Sequence, residues 1–254
     1  MRTMARAGAA VMAAATLFTA APVAAQGQEA RLTPATGTQG RVAMRGGHDG
    51  RTAWMTVEHR NLQLQKRFAA ETGIAVAELR AGRDHVTVTA APAFIRVARD
   101  GHTVTLDSPA AVERAVALIG GSQAIFAARI LLAELEATSA LDPPDVSLLS
   151  TLAFVASLVG DVEAPRRVAD RVVAKHRGFV RPVVLSGGSC WMSYLSEVTA
   201  AWNDLQGCME ESYDDPWWWS PFARLACNAI WALRAESAWF EYLKCLSPAS
   251  SVSH

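Results

Sequence analysis

The sequence predicts a mainly α-helical protein with a small N-terminal α+β unit and a C-terminal antiparallel helical hairpin cross-linked by two disulfides. Three observations carry this. Apolar residues alternate with period two only between about residues 54 and 106. From Ala110 to His176 the apolar spacing is close to 3.6. Beyond residue 181, four cysteines fall in two pairs with equal spacing.

The first element is a leader. Residues 1–25 begin with Arg2 and Arg6, continue through the uncharged run Ala7–Ala21, and end after Pro22 on Val23-Ala24-Ala25. This three-part pattern predicts a secretory signal peptide with a mature chain starting near Gln26. The run is about 15 residues, short of the ~20 needed to span a bilayer. No twin-arginine pair precedes it. The expected location is therefore secreted or periplasmic.

Residues 26–50, rich in Gly, Thr and Gln, read as a flexible lead-in. Residues 51–107 read as the small α+β unit, with a sheet of three or four strands. His85–Thr89, Phe94–Ala98 and Thr103–Leu106 alternate, and Asp100-Gly101 is a hairpin turn between the last two. Trp54–Val57 suits a further strand, and Leu62–Thr72, closed by Gly73, suits a short helix.

Residues 108–180 read as a helical core. Ser108-Pro109 supplies an N-cap and a first-turn proline. Gly120-Gly121 splits the following stretch into two helices. The nearly uncharged run Val146–Val159 reads as a buried helix, and Val162–His176 as an amphipathic one stopping at Gly178.

Residues 181–254 hold all four cysteines and seven of the eight tryptophans. Cys190 and Cys208 are 18 positions apart, as are Cys227 and Cys245; eighteen residues make five helical turns. If each segment is one helix, its two cysteines share a face but lie about 27 Å apart. A disulfide needs Cα atoms within roughly 7 Å. Pairing must then run between helices. The connection 209–222, with Asp214-Asp215-Pro216, is short and favours an antiparallel hairpin. The predicted bonds are Cys190–Cys245 and Cys208–Cys227. They agree with an exported chain in an oxidising compartment.

Chemistry is harder to read. Gly188-Ser189-Cys190-Trp191 resembles the segment around the nucleophile of papain-like cysteine proteases. Only four residues match, and the only later histidine is His254. A thiolate without a base is a poor nucleophile, so Cys190 is assigned to a disulfide. The six histidines show no metal-ligand spacing, no CxxC occurs, and no phosphate-binding loop or Gly-x-Ser-x-Gly elbow appears. The expectation is no cofactor, no metal and no catalytic set. Lys and Arg number 24 against 24 Asp and Glu, which argues against a nucleic-acid partner. Cleavage of the leader leaves a net charge of −2.

One surface candidate stands out: Trp217-Trp218-Trp219 in the hairpin connection, whose flat rings beside Asp214 and Asp215 suit ligand contact. The expected function is an exported, non-catalytic protein that binds a partner or a cell-envelope component through this Trp-rich module. The alternative is a secreted hydrolase whose acids and bases meet only in the fold, with Glu58, His59, Glu197 and Glu236 as first suspects. Assembly through the apolar run 146–159 is a third expectation.

Overall fold

In the computed structural model, the residues described are 28–30, 42–176, 188–216 and 219–246. The leader lies outside them.

The main correction to the expected fold is the size and nature of the N-terminal half. It is not a small α+β unit with three or four strands. It is an antiparallel meander of eight strands, each paired with the next in sequence order. The strands are β1 (Gln28–Ala30), β2 (Ala43–His48), β3 (Thr52–His59), β4 (Leu62–Ala69), β5 (Ile74–Ala81), β6 (Asp84–Ala91), β7 (Phe94–Arg99) and β8 (His102–Leu106). The expected helix over Leu62–Thr72 is strand β4. Residues 26–50 contain β1 and β2, so the sheet begins before Arg51.

The alternation is clear once the register is fixed. Leu62, Leu64, Lys66 and Phe68 face inward and are buried, while Gln63, Gln65 and Arg67 face outward and are exposed. A lysine in an inward position breaks the apolar pattern, and the segment then resembles a helix. Short turns join the strands. Asp100 and Gly101 both have positive φ (50° and 79°), as a two-residue type I′ hairpin requires.

Six helices follow: α1 (Pro109–Ile119), α2 (Gln123–Thr138), α3 (Pro143–Ser157), α4 (Ala164–His176), α5 (Gly188–Tyr213) and α6 (Ser220–Leu246). The sequence signals at their starts act as expected. Ser108 accepts a hydrogen bond from Ala111 N at 3.3 Å, and Pro109 opens α1. Ser122 caps α2 in the same way. The Gly120-Gly121 break turns the chain by 94° between α1 and α2. No single described helix is long and apolar enough to cross a membrane.

Helices α1, α2 and α6 lie against the sheet, and α3, α4 and α5 pack on other helices. Helix α6 crosses β2 to β6, α2 lies on β4 to β6, and α1 on β7 and β8. Helix α3 sits between α2, α4 and α6 and is buried on nearly every side. That explains its near-total lack of charge and places the run 146–159 in the core rather than on an assembly face. One continuous hydrophobic cluster joins the inner sheet face to all six helices, from Met55, Leu64 and Leu79 to Leu148, Trp231 and Trp239. Each such side chain contributes about 1.5–3 kcal/mol on burial.

Candidate functional site

The densest polar cluster in the described residues sits inside this core. Lys66 reaches from β4 to α3 and α6. Its ammonium donates to Glu236 Oε1 at 2.5 Å, to the Ser147 carbonyl at 3.0 Å and to Thr151 Oγ1 at 3.3 Å, and it also contacts the Ser147 hydroxyl. Thr151 Oγ1 donates to Glu236 Oε1 at 2.8 Å. Ser147 and Thr151 are one helical turn apart on α3, so both hydroxyls face the same side. Lys66, Ser147 and Glu236 are 4%, 0% and 6% exposed. Burial lowers the Lys66 ammonium below its ordinary pKa, against the opposing pull of Glu236. Beside the pair lies a cavity of about 30 Å³, walled by Ala75, Ala77, Ala90, Phe154 and Ala232. It has room for about two water molecules.

This cluster ties sheet to helices. A serine hydroxyl against a lysine is also the arrangement of Ser–Lys nucleophiles. Here Glu236 sits on the same ammonium, and the Ser147 side chain is closed off from solvent. An ion pair sealed this way holds position. It needs both partners, because either charge left alone in the core costs several kcal/mol.

The four suspected acids and bases do not converge. None has another of the four as a hydrogen-bond or ion-pair partner. Glu58 and Glu197 are exposed, on the outer face of β3 and on α5. His59 is buried at the inner end of β3, with Nε2 3.1 Å from Glu134 Oε2. Burial outweighs that carboxylate and holds the imidazole below its ordinary pKa. Glu236 belongs to the Lys66 cluster. Arg234, its near neighbour in sequence, pairs with Asp204 across the α5–α6 hairpin.

Asp84 is the second internal anchor. It accepts from the Ser122 hydroxyl at 2.6 Å, from Ala124 N at 3.1 Å and from Arg99 Nε at 3.0 Å. Burial alone would raise its pKa, but these donors hold it below the ordinary carboxylate value. It fastens the N-terminus of α2 to the β5–β6 turn. Sequence reading missed Lys66, Ser147, Thr151 and Asp84. The signal available was a lysine interrupting the alternation of β4.

The cysteines join Cys190 to Cys245 and Cys208 to Cys227, each with Cα atoms 5.7 Å apart. This is the nested order of an antiparallel hairpin. Most of the aromatic residues of the hairpin point inward. Trp231 and Trp239 are each 1% exposed. Tyr194 hydrogen-bonds the Pro143 carbonyl at 3.3 Å, and Trp202 Nε1 donates to Asp170 at 2.9 Å. Of the suspected contact residues, Trp219 is half-buried with its ring 4.9 Å from that of Phe222; Trp217 and Trp218 lie outside the described residues. Among the described residues, no group of three or more His, Cys, Asp or Glu side chains could hold a metal ion.

The second face of the sheet is the remaining candidate. No described helix packs on it. Its exposed or half-buried side chains include Arg45, Glu58, Gln65, Arg67, Thr87 and Arg96. One row crosses six strands in register: Trp54, Arg67, Val76, Thr89, Arg96 and Thr105. No family model matches this chain, and neither a curated protein nor a solved structure matches it.

Proposed function

We propose that the chain is exported and works outside the cytoplasm by binding a component of the cell envelope or a protein partner, without turning it over. The observation that carries this reading is the division of labour between the two sheet faces. The inner face spends its ionisable groups on holding the core together. The outer face presents a broad polar surface that no described helix covers. The leader-like residues 1–25 support export, and the two disulfides are compatible with an extracellular or periplasmic location. The Trp217–Trp219 connection remains a proposed contact site at the end of the hairpin.

The test is retention of the mature protein on isolated cell-wall and membrane fractions. Sedimentation with one of these fractions supports the reading, and recovery only in the supernatant defeats it. Loss of retention in a variant carrying Trp217→Ala, Trp218→Ala and Trp219→Ala assigns the contact to the connection; unchanged retention removes it from there.

One observation favours a second reading, a hydrolase: the Ser147 hydroxyl lies against Lys66. That reading requires turnover of an ester or amide that Ser147→Ala abolishes. Equal or absent turnover in both proteins removes it.

A further inference from the structure

Resting on the binding reading above, we propose that the outer face of the sheet takes an acidic polysaccharide laid across strands β3 to β8. Three features of one row point to this. First, the row is long: successive strands lie about 4.8 Å apart, so Trp54 to Thr105 spans about 24 Å, the length of several sugar rings. Second, it alternates chemistry. Trp54, half-buried with its indole Nε1 enclosed, stands at one end opposite Gly47 of β2, which is itself buried. Arg67 and Arg96 follow three strands apart, about 14 Å, with the Thr89 hydroxyl between and Thr105 at the far end. Indole faces stack on sugar rings, and guanidinium forks fit carboxylates in bidentate fashion. Third, the charge is complementary. Among the side chains described, the face carries Arg45, Arg67, Arg80 and Arg96 against Glu58 and Glu78. Glu78 is already engaged by Arg80 at 3.3 Å. Arg67 is exposed and has no hydrogen-bond or ion-pair partner among the described residues. Arg96 is exposed and held over the Phe94 ring, 5.0 Å from its centroid. The surface is thus locally basic on a protein with no net charge.

The experiment is affinity electrophoresis of the purified, disulfide-bonded protein in gels containing polygalacturonate, with neutral dextran, a DNA duplex and phosphatidylglycerol vesicles as separate comparison probes. Polygalacturonate retards the protein and dextran does not. Arg67→Gln/Arg96→Gln weakens the interaction by about tenfold, or about 1.4 kcal/mol, with an unchanged thermal unfolding midpoint. Arg166→Gln on α4 leaves it unchanged, and added salt weakens it. Equal retardation of the double variant, equal binding to dextran, or binding to the duplex or vesicles in preference to polygalacturonate overturns the assignment. Retention on envelope fractions without any response to polygalacturonate overturns this proposal and leaves the binding reading standing. Polygalacturonate binding without envelope retention does the reverse.

Discussion

Lys66 shows how one side chain reorganises both a fold and its reading. Its ammonium satisfies Glu236 and two hydroxyl-bearing residues of α3 at a site where Lys66 and Glu236 are both buried. Removing only the lysine leaves a carboxylate buried without a counter-charge. Lys66→Met is therefore expected to cost about 3–5 kcal/mol, whereas Lys66→Met/Glu236→Leu recovers most of that loss. Chemical denaturation of the two variants checks this; a single variant as stable as the double one contradicts it. His59 gives the pH counterpart. Burial lowers its folded-state pKa, so between the folded and unfolded values the unfolded chain holds the extra proton. Stability from this group is present above the unfolded value of about 6.5 and is lost as pH falls through it towards the folded value. The unfolding midpoint should fall as pH is lowered below about 6.5, and His59→Gln should flatten that part of the profile. An unchanged profile in the variant removes His59 from the account.

At the scale of elements, two kinds of fastener hold the helices. Asp84 joins the sheet to the start of α2 through three donors. Asp84→Ala leaves Ser122 and Arg99 without their acceptor and is expected to cost about 1–3 kcal/mol, read as a lower denaturation midpoint; an unchanged midpoint would show that the donors find other partners. The disulfides fasten α5 to α6. Cys208–Cys227 closes 19 residues and Cys190–Cys245 closes 55. Loop-closure entropy gives about 3 kcal/mol for the first acting alone and about 4 for the second. Replacing each pair by serine and comparing unfolding free energies tests that order.

These elements were unequally legible. The helices were readable because their signals are local: Ser108-Pro109, Gly120-Gly121 and a 3.6 spacing each act within one turn. The cysteine pairing was readable because equal spacing along two rods leaves few ways to connect them. The sheet was not. Strand β4 carries Lys66 in an inward position, β2 carries Gly46 and Gly47, and β5 is largely alanine and short apolar residues. Each in its own way interrupts the unbroken alternation of large apolar and polar groups that marks a strand. The candidate sites were hidden for a related reason. Lys66, Ser147 and Glu236 are separated by 81 and 170 positions along the chain from Lys66, and only the packing of α3 and α6 on β4 brings them together. The outer row is assembled one residue per strand, so it has no sequence motif at all.

At the scale of the whole molecule, the helices bury one sheet face and no described helix covers the other, which is the surface proposed to bind. Covalent footprinting measures this most directly. The arginine side chains of the mature protein are labelled with phenylglyoxal, with and without a saturating solubilised envelope fraction, and read by mass spectrometry. The account predicts that Arg67 and Arg96 are protected by the bound material while Arg166 on the far side of the helical layer labels as before. Saturable binding that leaves Arg67 and Arg96 as reactive as in the free protein would contradict it.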